Sequence, residues 1–291
     1  MTIEGKTKII ETVADPNLVR IVTKDSLTAN DAAIQADLPV AEDKTAQTCS
    51  VFHLLKKNNI PVAYITRNNS TSFIAKKCEM LPIECVMRRR AFGSYLKREP
   101  SKTSGEIFDP LLTEFFHKHA IVFHPETSYS DEHVEMMSED EARELYLKDG
   151  EWTSIVYTDP LIDPHEQEWL LYPAKQPRNQ IRKQSLLKIS PVIDLKTLDH
   201  IKNNLMIPCF EIIEKEWKKF DVDLIDMKIE VGYSAYNKEL VIADVIDNDS
   251  WRIWPNGDPK QQLDKQSFRD GEALTEVQKK YRIVTEYTKN F

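Results

Sequence analysis

Asp226, Lys228 and Glu230 stand at alternate positions in LIDMKIEVG, and a short turn later Asp244 stands in LVIADVIDNDSWRIWP. If residues 224 to 231 form a strand, its period of two puts these three side chains on one face and Ile225, Met227, Ile229 and Val231 on the other. A solvated antiparallel face alternates in the same way, so the segment alone also fits a plain surface strand. The neighbouring run shifts the balance: residues 240 to 246 are apolar except for Asp244, and an unpaired charge buried there would be costly. A cation resolves that cost. Carboxylates on adjacent strands, with few other ligands, suit magnesium completed by water and phosphate oxygens.

Two further motifs offer phosphate chemistry. In EGKTKII, Gly5 sits in a turn between two short strands, where backbone amides can approach a phosphate and Lys6 and Lys8 supply charge. A hairpin turn with exposed lysines explains the same residues, because the P-loop spacing is missing. In IECVMRRRAFGSYLKR, the cations Arg88, Arg89, Arg90, Lys97 and Arg98 surround Gly93 and Ser94. Guanidinium forks, a hydroxyl and backbone amides together can wrap a phosphorylated ligand, although a basic solvated or RNA-facing surface has the same composition. His117 and His119 flank Lys118, and surface roles explain them better than catalysis does.

These groups need a scaffold, and 291 residues with 41% hydrophobic content can bury a full core in one large domain or two lobes. A net charge of −8 argues against general binding to nucleic acid or anionic membrane. The amino-terminal MTIEGKTKII lacks the apolar core of a signal peptide and no stretch reaches a membrane span, so a cytoplasmic location is expected. Cys49, Cys78, Cys85 and Cys209 lack metal-type spacing and read as free thiols. Strands at 20 to 23 and 62 to 66 and a helix around 46 to 57 describe a small β-rich lobe over residues 1–82. Residues 83–291 form a larger α+β lobe. In it, Met206, Cys209, Phe210, Ile213, Trp217 and Phe220 fall at helical spacing ahead of the LIDMKIEVG strand, and 264 to 290 is a charged helical region. Ser138 with Glu141 forms a candidate capping box within the polar stretch 119–190, which Asp159-Pro160 and Asp163-Pro164 punctuate.

Taken in order, EGKTK, IECVMRRRAFGSYLKR, TEFFHK, LIDMKIEVG and ADVIDNDSWRIWPNGD with DKQSFRD resemble the phosphoribosylaminoimidazole-succinocarboxamide synthase (SAICAR synthetase) family. The version ADVIDNDSWRIWP looks like the synthetase half of the bifunctional animal purine enzyme. The resemblance implies a two-lobed α+β fold related to ATP-grasp enzymes and protein kinases, with ATP bound between the lobes. It implies an ATP- and Mg²⁺-dependent carbon–nitrogen ligase of de novo purine synthesis, joining the imidazole ribonucleotide CAIR to L-aspartate and giving SAICAR, ADP and phosphate. Alternatives are a catalytically silent nucleotide-binding relative with a regulatory role, or a kinase or ligase of the same fold with another substrate. The implied partners are small molecules and a second copy in a homo-oligomer, as a dimer, with no nucleic acid and no membrane.

Carried over residue by residue, the resemblance puts Lys6 and Lys8 at the ATP phosphates and makes Glu230 and Asp244 the magnesium carboxylates. Glu79, Met80 and Leu81 would meet adenine, while Arg88, Ser94, Arg252 and Asp31 would hold CAIR. Lys228, Lys118 and Asp249 would be catalytic. Three departures stand out. His119 and Ala120 follow Lys118 where the family continues with acidic or amide residues and soon an Asp-Pro. The stretch from Lys118 to Asp226 is longer than usual, which leaves the aspartate pocket open and suggests an insertion around 119–190, a surface extension apart from the Asp-Pro it returns to the cleft. Thr45 follows Lys44 where many bacterial members have glycine. No carboxylase segment follows Phe291 in this sequence, so the animal enzyme's second activity and the assembly it drives are not assumed.

Overall fold

The structure, a computed structural model, describes residues 2–29, 34–123, 134–177 and 187–291. Two compact units emerge, Met1–Leu81 with Ile207–Phe291, and Pro82–Met206. The chain passes from one unit to the other between Leu81 and Pro82 and back between Met206 and Ile207. Residues 207–291, grouped by sequence with 83–206, instead associate with the amino-terminal residues. The reason is long-range pairing that no local pattern carries. Helix Ala41–Lys57 lies against helix Leu274–Thr288, where Gln47 Nε2 donates to Tyr281 O at 2.9 Å and Thr285 Oγ1 at 3.0 Å.

In the first unit, a five-stranded antiparallel sheet runs in the order Thr2–Glu4, Lys8–Thr12, Leu18–Thr23, Ser72–Lys76, Tyr64–Arg67. Val19 and Ile21 alternate inward from Leu18–Thr23, as a sheet with one buried face requires. The helix expected from residue 46 begins at Ala41, because Glu42 and Asp43 suit a helix amino terminus and Ala41, Thr45 and Thr48 are buried. Helix Ile207–Lys218 buries Cys209, Phe210, Ile213 and Trp217, the stripe that the sequence spacing marked. Each such large side chain stabilises by about 1.5–3 kcal/mol. The helix leads into strand Val222–Ser234, which pairs with Leu240–Ala243 from Glu230 to Tyr233 and with Trp251–Pro255 from Val222 to Met227. The charged region at 264 to 290 resolves into helices Gln266–Arg269 and Leu274–Thr288, the second burying Val277, Tyr281 and Val284.

The second unit is built on an antiparallel sheet in the order Leu187–Ile189, Trp169–Tyr172, Leu161–Pro164, Ile107–His117 and the later part of Cys78–Arg90. The stretch 119–190 is therefore no mere surface extension. Leu161, Ile162, Trp169 and Leu171 are buried in this sheet, with Leu161 opposite Phe116. A smaller sheet joins Ala120–Phe123 to Val134–Met137 and Ile155–Tyr157. Helix Glu139–Tyr146 covers it, placing Ala142 on Ala120 and Val122, and the Ser138 side chain caps its start by accepting from Glu141 N at 3.2 Å.

Candidate active site

Strand Val222–Ser234 carries the first half of the site. Ile225, Met227, Ile229 and Val231 are buried as the alternation demands, but Asp226 and Glu230 are buried too, so both faces are covered. Charges so placed need partners. Arg252 Nη1 donates to Asp226 Oδ2 at 2.6 Å across the strand pair that sets Asp226 opposite Arg252. Lys228 Nζ lies 3.4 Å from Glu230 Oε1. Glu230 faces Ala243, which brings Asp244, one residue beyond that strand, beside it. Asp244 adopts φ +64°, a left-handed conformation that turns the chain out of the strand, and its carboxylate forms an ion pair with Lys8.

The loop from Asp244 to Ser250 is tied down from several sides. Asp249 N donates to Asp247 Oδ1 at 2.8 Å, Asn248 N to Gln47 Oε1 at 2.9 Å, and Lys228 N to Ser250 O at 2.8 Å. Lys44 and Lys265 both donate to Asp249, as does the Tyr281 hydroxyl. Burial works against the charge of Asp249, but Lys44 and Lys265 outweigh it and hold the carboxyl below the ordinary carboxylate range. Burial pushes Asp247 upward. Across the amino-terminal turn, Gly5 N donates to Lys8 O at 2.9 Å, closing the expected hairpin between Thr2–Glu4 and Lys8–Thr12. Glu79 and Met80 lie against the same strand at Gly232, where an added Cβ would sit 2.8 Å from Glu79 O and 3.0 Å from Met80 Sδ.

The second unit holds the arginine-rich motif. Glu114 faces Val86 across the strand pair, so Arg88 shares its face on the diagonal. Arg88 Nε donates to Glu114 Oε2 at 2.7 Å, Arg98 donates to Glu114 Oε1, and Arg88 Nη2 reaches Ser94 Oγ at 3.5 Å. The five cations therefore do not form one ligand-wrapping surface. Arg98 is 1% exposed and donates to Ala174 O at 3.0 Å, while Arg89 and Arg90 reach the carbonyls of Phe108 and Gly105. Arg88 and Ser94 are the part of the motif that the structure brings together.

The SAICAR synthetase family profile matches residues 1–150 and 174–287 of this chain. The chain belongs to the SAICAR synthetase family. It is 35% identical over 291 residues to the "Multifunctional protein ADE2" of Gallus gallus, covering 97% of this chain and 56% of that one. It is 36% identical over 293 residues to the bifunctional phosphoribosylaminoimidazole carboxylase/phosphoribosylaminoimidazole succinocarboxamide synthetase of Homo sapiens, with 97% and 56% covered. This chain thus spans little more than half the length of those animal proteins. Against the phosphoribosylaminoimidazole-succinocarboxamide synthase of Chloroflexus aurantiacus it is 33% identical over 292 residues, covering 98% of this chain and 94% of that one. The fold matches the phosphoribosylaminoimidazole-succinocarboxamide synthase of Ehrlichia chaffeensis with a TM-score of 0.69 at 22% identity, covering 99% and 98% of the two chains. It also matches a SAICAR synthetase (type 2) in complex with ADP, with a TM-score of 0.69 at 22% identity and 100% and 98% covered.

Set against the family motifs, Lys8, Lys228, Glu230, Asp244, Asp249 and Arg252 all lie on one strand, its two partners and the structures tied to them. Lys6 stands at the turn, Arg88 and Ser94 come together in the other unit, and Asp31 lies outside the described residues. Lys118 N donates to Pro82 O at 3.0 Å, and His117 N donates to Pro160 O at 2.9 Å, which brings Asp159-Pro160 beside Lys118 although 41 positions separate Lys118 from Asp159. His117 is fully buried and its imidazole is pushed below the ordinary range by that burial. The sequence reading assigned no role to Glu114, Lys44, Lys265 or Tyr281. Two of them had a signal: Glu114 opens the Glu-x-x-x-Lys segment that ends at Lys118, and Lys265 lies in DKQSFRD.

Proposed function

We propose that this member of the SAICAR synthetase family is an ATP-dependent carbon–nitrogen ligase that joins CAIR to L-aspartate, giving SAICAR, ADP and phosphate. One observation carries the reading most: the cation–carboxylate pairs Arg252 with Asp226 and Lys228 with Glu230 follow one another along strand Val222–Ser234, and Lys8 pairs with Asp244 at the end of its neighbour Leu240–Ala243. The names of the relatives and the ADP complex of a structural neighbour support it. The fold's kinship to ATP-grasp enzymes and protein kinases belongs to the same proposal.

A carboxylate is a poor electrophile, so the CAIR carboxylate must first take the γ-phosphoryl group as an acyl phosphate before an amine can attack. Phosphoryl transfer is mostly positioning and charge neutralisation, and Lys6, Lys8 and Lys228 supply fixed cations for it. Glu230 and Asp244 are all-oxygen donors at neighbouring positions, a set that fits Mg²⁺. Among the described residues no third His, Cys, Asp or Glu joins them, so phosphate oxygens and water would complete the shell. When bound there, the ion neutralises charge on the phosphates. Glu79, Met80 and Leu81 border the adenine, and Arg88, Ser94, Arg252 and Asp31 grip the ribonucleotide. Lys118, Lys228 and Asp249 act next to the reacting groups, with Asp159 placed beside Lys118 to bind the amine substrate. The chain works as a homodimer in the cytoplasm. No helix among the described residues is long and apolar enough to cross a membrane.

The deciding assay is ADP release with CAIR, with and without L-aspartate, together with detection of SAICAR. Sustained release that needs both substrates is the expected result. Turnover on CAIR alone would make the protein a kinase, and no turnover with retained nucleotide binding would make it a silent relative.

A further inference from the structure

Asp249 stands at the front of a buried polar cluster drawn from three separate elements. Lys44 reaches it from helix Ala41–Lys57, Lys265 from the turn before helix Gln266–Arg269, and Tyr281 from helix Leu274–Thr288. Lys44 Nζ and Lys265 Nζ donate to Oδ2 at 2.9 and 3.0 Å, and the Tyr281 hydroxyl donates to Oδ1. The Asp249 side chain keeps 16% exposure, against 3% for Lys44 and 8% for Lys265. The carboxylate is thus the member that can meet a ligand, and the lysines stand behind it. A core built for stability alone would fill this volume with apolar side chains, since burying ammonium groups is costly. Three donors on two oxygens instead fix both the position and the rotation of one carboxylate.

We propose that Lys44 and Lys265 are positioning residues, which act through Asp249 by holding it as a charged acceptor for a hydroxyl or amine of the nucleotide substrate. The proposal rests on the reading above that Asp249 acts next to the reacting groups. The charged and titratable groups that face Asp249 are Lys44, Lys265, Tyr281, Asp247 and Arg269. Asp247 is of like sign, and burial already pushes it up, so the two lysines bear most of the work of keeping Asp249 ionised. Removing either one lets the Asp249 proton stay on to higher pH, and a protonated carboxyl is no longer a charged acceptor.

The test is the pH profile of kcat/KM for CAIR, over about pH 5 to 9, for wild type, Lys265→Met, Lys265→Arg and Asp249→Asn. Lys265→Met should bring the acid limb, which lies below the measured range in wild type, up to about pH 6, with a loss of about twofold there that recovers toward pH 8 and an ATP KM within about twofold of wild type. Lys265→Arg should restore most of the profile. A loss equal at every pH, or an arginine variant as impaired as the methionine one, overturns the positioning role. Should Lys265→Met fail to fold by circular dichroism, Lys265→Gln takes its place, and an unmoved limb there overturns the proposal. Wild-type kcat/KM in Asp249→Asn would instead remove the reading that Asp249 acts next to the reacting groups, whatever the lysine variants do.

Discussion

Replacing Glu114 by glutamine isolates what the buried arginine pair needs. Glu114 is 8% exposed and accepts from Arg88 on one oxygen and from Arg98 on the other, so it bridges two buried guanidiniums. Breaking a buried ion pair costs about 3–5 kcal/mol, and the lower end applies because the amide oxygen still accepts from one arginine: about 3 kcal/mol. At about 2–4 °C per kcal/mol for a chain of this size, the Tm of Glu114→Gln should fall by about 6–12 °C. Arg88 also loses the charge-assisted bond to its Nε that sets its orientation. If about 1.4 kcal/mol of that bond is felt at the ligand, the KM for CAIR rises about tenfold. The KM for ATP should stay within about twofold, because Lys6, Lys8, Glu230 and Asp244 belong to the other unit. Calorimetry and steady-state kinetics on the same preparation give all three numbers. A Tm change below about 2 °C with an unchanged KM for CAIR would refute the reasoning, and a matched rise in both KM values would refute the specific role of Arg88.

Asp244→Asn should keep the fold but lose at least about tenfold in magnesium-dependent turnover, and a magnesium titration with normal kcat would remove the site assignment. Gly232→Ala places a methyl 2.8 Å from Glu79 O, so the segment Glu79–Leu81 must shift and the KM for ATP should rise at least about threefold; an unchanged value would separate that segment from the adenine. Asp159→Ala should raise the apparent KM for L-aspartate more than about twofold while Asp163→Ala, whose half-exposed carboxylate lies 3.9 Å from His165, should not. Equal, small effects would place the amine pocket elsewhere. Burial raises the Asp264 carboxyl to about 6, although Ile253 N and Gln266 N donate to it at 2.9 and 2.8 Å. A carboxyl raised above its unfolded value of about 3.9 stabilises below that pH and loses the contribution as pH climbs through 6, a swing of about 3 kcal/mol. About 2 kcal/mol of that swing falls between about pH 4.5 and 7, so the unfolding free energies of wild type and Asp264→Asn from denaturant titrations at those two pH values should diverge by about that much, and parallel behaviour would refute it.

Local pattern was enough to mark the site's strand, the helix before it and the turn at Gly5, since each is written in short-range periodicity or backbone preference. The aromatic and aliphatic stripe of Ile207–Lys218 and the alternation along Val222–Ser234 need no distant partner to be legible. The order of the five motifs likewise sufficed to indicate the family, because residue types at fixed spacing are a property of the chain itself. What tertiary structure alone decided is which charges face each other. Nothing local joins Lys44 to Asp249 across 205 positions, Arg98 to the carbonyl of Ala174, or Lys8 to Asp244. The same holds for the grouping of residues 207–291 with the amino-terminal sheet and for the return of Asp159-Pro160 to Lys118. A buried charge can be recognised in sequence as a cost, but its partner is set by long-range strand register and helix packing, and those are fixed only when the whole core closes.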